Sequence, residues 1–161
     1  MTTQEYNECV ELYANRVLRL VLRVLRNHAD AEDIVQISFE VLWKNIESVA
    51  FEKARSYLFT VASRKAIDHI RRNSRTTYVE DFAPNSAIAP DRADRHELHD
   101  QLHAALNTLS EVQRSCILLR DYEGYAYQEV GEILSLTESQ VKVYIFRGRQ
   151  KLQDLLLEVR H

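Results

Sequence analysis

From residue 3 to residue 27 apolar side chains recur at helical spacing. Tyr6, Val10, Tyr13, Val17, Leu20, Val21 and Val24 fall on one side, while Arg16, Arg19, Arg23 and Arg26 fall on others. The pattern predicts one long amphipathic helix with a solvated basic face. Asn27, His28 and Ala29 interrupt it, and Asp30 is then expected to cap a second helix, with Asp33 at the capping-box position and an acidic first turn. That second stretch, DAEDIVQISFEVLWKNI, is apolar over more than one face through Ile34, Val35, Ile37, Phe39, Val41, Leu42 and Trp43. Such a helix is either central to a bundle or buries a second face in a partner, with Asp33, Gln36 and Glu40 as a polar rim. Residues 47–56 are less regular. A third helix is expected from Tyr57 to about Asn73, burying Leu58, Val61, Ala62, Ile67 and Ile70 and presenting Arg64, Lys65, Arg71, Arg72 and then Arg75.

Periodicity is lost over residues 76–93, which hold both prolines, Pro84 and Pro90, and read as a flexible linker. Helical spacing resumes over 94–107. Ser110 and Gln113 then make a capping box for a helix from Glu111 to Tyr122, burying Ile117, Leu118 and Leu119 and ending near Gly124. Residues 127–149 read as two helices about a tight turn. Val130, Ile133 and Leu134 are apolar on the first, and Val141 and Ile145 on the second. Ser135, Leu136 and Thr137 form the turn, with Thr137 and Gln140 as a capping box. Gly131 is placed where crossing helices approach closely. This is the pattern of a helix-turn-helix, whose second helix enters the DNA major groove. That helix continues through Leu152, Leu155 and Leu156. The whole is an all-α chain of two small helical domains, 1–75 and 94–161, joined by the flexible linker.

Charge sharpens the reading. The chain carries a net charge of -3, so it is not a generally basic nucleic-acid binder. Residues 1–75 hold twelve Lys/Arg against ten Asp/Glu, residues 76–110 two against six, and residues 111–161 seven against eight. Basic side chains gather locally, around Arg64 to Arg75 and again at Lys142, Arg147, Arg149 and Lys151, as two restricted DNA contacts require. Aromatic Phe51, Tyr57 and Phe59 beside the first basic cluster suit single-stranded DNA, where bases stack while cations follow the backbone. Cys9 and Cys116 are isolated and read as reduced core residues. His96, His99 and His103 share one helix face, but no Cys or second His-rich segment completes a metal site, so they read as a polar face and no cofactor is expected. No phosphate loop and no nucleophile–base set suggests an enzyme. No signal peptide or membrane-length apolar run is present, which points to the cytoplasm.

Three segments in order, DAEDIVQISFEVLWKN, SYLFTVASRKAIDHIRR and LSEVQRSCILLRDYEGYAYQEVGEILSLTESQVKVYIFRGRQKL, resemble the signature segments of bacterial extracytoplasmic-function sigma factors, group IV of the housekeeping sigma factor family. The resemblance implies a sigma region 2 over 1–75, which binds core RNA polymerase and the -10 element, and a sigma region 4 over 94–161, which binds the -35 element. It implies polymerase docking by Asp33, Ile34, Gln36, Phe39, Leu42 and Trp43, and -10 contacts from Phe51, Tyr57, Arg64, Lys65, Arg71 and Arg72. For the -35 element it implies Thr137, Ser139, Gln140, Lys142, Val143, Tyr144, Arg147 and Arg149, with Gln140 pairing with adenine and the arginines contacting phosphate. Relatives often carry Asn where Arg64 stands, Trp where Tyr57 stands, and Thr and Arg where Gln140 and Tyr144 stand, so the promoter sequence does not transfer. The implied partners are core polymerase, promoter DNA and an anti-sigma factor or membrane-associated regulator, without membrane insertion. A dimeric repressor or a response-regulator output domain would share the helix-turn-helix but leave the apolar second helix and the basic third unexplained. A helical adaptor would leave the basic recognition helix unexplained.

Overall fold

A computed structural model describes residues 1–76 and 93–159, with side chains described over 1–74 and 100–157. Among the described residues all regular structure is helical: α1 (Thr3–Leu25), α2 (His28–Lys44), α3 (Ala54–Thr76), α4 (Ala93–Asn107), α5 (Glu111–Ile117), α6 (Tyr127–Leu134) and α7 (Glu138–Val159). A 3-10 turn at Phe51–Lys53 leads into α3, and a π-helical turn at Leu118–Tyr122 extends α5. One compact unit holds α1 to α3, and a second holds α4, α5, α7 and most of α6. The all-α architecture in two small domains is the one expected. The segment expected to link them lies outside the described residues except for its ends, Thr76 and Ala93, which belong to α3 and α4.

In the first unit, α1 opens on a capping box. Glu5 N donates to Thr2 Oγ1 at 3.1 Å and Thr2 N donates to Glu5 Oε2 at 2.8 Å. Arg26 ends the helix in the left-handed region, at φ 64°. The cap of α2 is Asn27, one turn before the expected Asp30. Asn27 is extended (φ -115°, ψ 118°), so its side chain folds back to accept from Asp30 N at 3.1 Å. Asp30 therefore has a place inside the first turn, where its charge suits the helix dipole, and its carboxylate lies 3.1 Å from His69 Nε2 of α3. The three helices bury Val17, Leu20, Val21, Ile34, Leu42, Leu58 and Phe59. Alanines 54, 62 and 66 line the inner side of α3, where small side chains allow close helix approach. Cys9 takes the buried position expected of Val10, which is exposed. Phe59 lies fully inside, so its ring belongs to the core and not to a nucleic-acid surface.

In the second unit, Ser110 Oγ accepts from Gln113 N at 3.2 Å and starts α5. Its continuation is a π turn where α-helix was expected: Glu123 N donates to Leu118 O at 3.1 Å, five residues back. Gly124, at φ 78°, stops it. Leu106, Leu109, Cys116, Ile117, Leu118, Leu119, Val141, Ile145 and Leu152 are buried here. Gly148 lets α7 lie close on α5, since a Cβ there would come within 2.5 Å of Ile117 Cδ1.

Both cysteines are free and buried. Burial pushes the Cys116 thiol up to about 12 and also raises that of Cys9. Neither thiolate should form near pH 8 in the folded chain. Labelling with an aromatic disulfide reagent is expected to modify neither cysteine until guanidinium unfolds the protein, when both should react; a native thiol titre above zero would contradict the burial.

Candidate nucleic-acid and partner interfaces

The turn between α6 and α7 is fixed by local bonds. Leu136 N donates to Gly131 O at 2.8 Å, and Ser135 sits at φ 59°. A Cβ on Gly131 would lie 2.6 Å from Leu136 O, so the crowding that requires glycine comes from the carbonyl of the turn. Both arms of the expected capping box are present: Gln140 N donates to Thr137 Oγ1 at 3.1 Å, and Thr137 N donates to Gln140 Oε1 at 2.9 Å. Val130, Ile133, Val141 and Ile145 are buried, which fixes the outward side of α7.

At about 100° per residue the outward side of α7 has a centre and two flanks. Ser139, Val143, Phe146 and Gln150 form the exposed centre, with Val143 45% and Phe146 68% exposed. Lys142 and Arg149 share one flank; Gln140 and Arg147 share the other, and all four are exposed. Tyr144 is half-buried at the edge of the second flank. Phe146 was not among the expected site residues. Its spacing of three from Val143 and seven from Ser139 carried the signal, but an aromatic at helical spacing reads first as core.

The side chains are already partly engaged. One lone pair of Gln140 Oε1 serves the cap. Lys142 Nζ lies 3.4 Å from Glu138 Oε1. Lys151 Nζ donates to Thr108 O at 2.9 Å. Arg149 binds Asp121 through two nitrogens, Nε donating to Oδ2 at 3.1 Å and Nη2 to Oδ1. The Asp121 hydrogen bond, with its charge, holds the Arg149 guanidinium pKa above its ordinary value. Thus Arg147 and Arg149, expected to act alike, have different surroundings on opposite flanks.

On α2 the expected docking residues divide. Ile34, Phe39 and Leu42 belong to the core, at 6%, 8% and 0% exposure, so their side chains do not form an outer surface. Asp33, Gln36, Ile37, Glu40 and Trp43 point outward along one face, with Trp43 47% exposed. Tyr6 of α1 supports this face: its ring meets Trp43 edge-on at 5.0 Å, and its hydroxyl donates to Phe39 O at 3.0 Å. On α3, Tyr57, Arg64, Lys65, Arg71 and Arg72 fall within about a third of the helix circumference. The three arginines are exposed, and Tyr57 and Lys65 are half-buried. Phe51 is half-buried in the 3-10 turn. An open depression of about 440 Å³ is lined by Lys44, Asn45, Ile46, Glu47 and Ser48, at the end of α2 and just after it. The side chains of His96 and His99 lie outside the described residues, and His103 is half-buried. Among the described residues no set of His, Cys, Asp and Glu is arranged to hold a metal, and no helix is long and apolar enough to cross a membrane.

Comparison with known proteins identifies the family. The family Sigma-70 region 2 matches residues 9–76, and Sigma-70, region 4 matches residues 99–152. The chain is 31% identical to the ECF RNA polymerase sigma factor SigE of Mycolicibacterium smegmatis over 94% of its own length and 61% of that protein's. It is 30% identical to the RNA polymerase sigma factor CarQ of Myxococcus xanthus over 91% of its own length and 86% of that protein's. The fold is shared with the sigma factor RpoE of Bartonella quintana, solved in complex with the anti-sigma factor NepR: TM-score 0.77 and 22% identity, covering 96% of this chain and 98% of that one. The chain therefore belongs to the extracytoplasmic-function RNA polymerase sigma factors. Its role is that of the family, in transcription initiation with RNA polymerase, which is regulatory and not enzymatic.

Proposed function

We propose that the chain docks on core RNA polymerase through the outward face of α2 and reads promoters at two places. The observation that carries this is the surface of α7: a centre of Ser139, Val143, Phe146 and Gln150 with a cation-bearing flank on either side. A helix lying in the major groove needs that order, with base edges ahead of it and one phosphate backbone on each side. Val143 and Phe146 suit the methyl groups of thymine, which a polar side chain cannot exploit. Gln140 keeps its assignment to adenine, and must then share Oε1 between the cap and the base. Arg147 meets phosphate, while Thr137 and Tyr144 lie at the borders of the contact. On the first unit, Tyr57, Arg64, Lys65, Arg71 and Arg72 follow the melted -10 strand, and residues 47–56, with Phe51 among them, receive a flipped base.

The chain acts where polymerase acts, in the cytoplasm, and is held inactive by an anti-sigma factor or membrane-associated regulator, as RpoE of Bartonella quintana is bound by NepR. Holoenzyme affinity over a -35 substitution series at several salt concentrations tests the reading. Phe146→Ala is expected to relax preference at one or two -35 positions, by about 1 kcal/mol each, with little change in salt slope. Arg147→Ala should weaken all promoters alike and lower the slope of log K against log salt by about one. The opposite assignment of the two effects would mean that α7 is turned differently in the groove.

A further inference from the structure

The flank of α7 that carries Lys142 and Arg149 also faces Tyr127 at the start of α6. Lys142 Nζ lies 5.8 Å from the centroid of the Tyr127 ring, and the Arg120 guanidinium lies 4.6 Å from it. Lys142 and Arg149 thus share one flank, Lys142 beside Glu138 and Arg149 held by the carboxylate of Asp121, from the π turn. The Arg149 and Asp121 side chains remain 47% and 36% exposed, so a ligand in solvent can reach the pair. A carboxylate and a phosphate both accept two parallel bonds from a guanidinium, so one can replace the other.

We propose that Arg149, with Lys142 on the same flank of α7, forms a seat for one backbone phosphate of duplex DNA, and that Asp121 fills this seat as an internal anion until DNA displaces it. The inference rests on the reading of α7 as a major-groove helix. Asp121 then tempers affinity without touching sequence preference, because a phosphate carries no base identity. If the pair were only a strut, breaking it would loosen α7 and DNA binding would fall with stability.

The test uses holoenzyme assembled from the full chain and core polymerase, bound to promoter fragments over a range of salt. Asp121→Asn should raise affinity for all -35 variants alike, by about two- to fivefold, the size of one exposed ion pair. Arg149→Gln should lower affinity and reduce the salt slope by about one. In the Arg149→Gln background, Asp121→Asn should do nothing further, and Asp121→Glu should bind within about twofold of the parent, since it keeps the carboxylate. Equal gains from Asp121→Asn with and without Arg149 would overturn the displacement, leaving simple charge repulsion. Loss of affinity in both single variants, with matching falls in melting temperature and an unchanged slope, would leave the strut. Should Asp121→Asn not fold, the slope of Arg149→Gln decides alone: a lower slope supports the seat and an unchanged one removes it. Failure of the groove reading itself is separate, since the parent holoenzyme would then ignore -35 substitutions.

Discussion

Phe39→Ala should unfold the first unit more readily while Trp43→Ala should not, although both residues lie four positions apart on α2. Phe39 is 8% exposed, its backbone carbonyl accepts the Tyr6 hydroxyl, and its ring meets that of Tyr6 edge-on at 6.4 Å. Removing it empties a packed site, at about 3–5 kcal/mol. Trp43 is 47% exposed and stands on the same outward face as Asp33, Gln36, Ile37 and Glu40. As the aromatic anchor of a docking face it is expected to contribute about 2 kcal/mol or more to polymerase binding, roughly thirtyfold in affinity. Chemical denaturation and core-polymerase titration of the two variants separate the roles. A Trp43→Ala chain with native stability and undiminished core affinity would remove the docking face from α2.

Gly131→Val should disable the second unit. The first carbon added would lie 2.6 Å from the carbonyl oxygen of Leu136, a backbone atom that cannot swing aside, and Leu136 N already donates to Gly131 O. The turn must open, at about 1–3 kcal/mol for the overpacking alone, and the angle between α6 and α7 changes with it. Loss of -35 discrimination at unchanged core affinity is expected, with a lower melting temperature. A variant that keeps both its stability and its -35 preference would show that the turn tolerates the displacement.

The helices were legible because apolar side chains recur with the helical period in nearly every one. The helix-turn-helix was legible down to its cap, since Thr137 and Gln140 are close in sequence and satisfy each other's backbone groups. What local pattern could not resolve was direction. The α2 stretch showed two apolar faces, and nothing in its spacing distinguished Ile34, Phe39 and Leu42, which are buried, from Trp43, which is half exposed. The Asp121–Arg149 pair spans 28 residues and the Lys151–Thr108 bond 43, so a run of basic residues on α7 read as uniformly available when several are already held. The π turn depends on a hydrogen bond five residues back, which has no compositional signature. Asn27 and Asp30 both carry side chains suited to a cap, and backbone conformation chooses Asn27.

The most direct test of the central claim is transcription. Purified core polymerase is incubated with fragmented genomic DNA of the source organism, with and without the chain, and transcript 5′ ends are mapped. The expected result is a discrete set of start sites that require the chain, preceded by a shared pair of elements near -35 and -10, with Phe146→Ala altering usage according to the -35 sequence and Arg147→Ala reducing all sites alike. Start sites indifferent to the chain, or chain-dependent starts with no common upstream elements, would contradict a promoter-reading sigma factor.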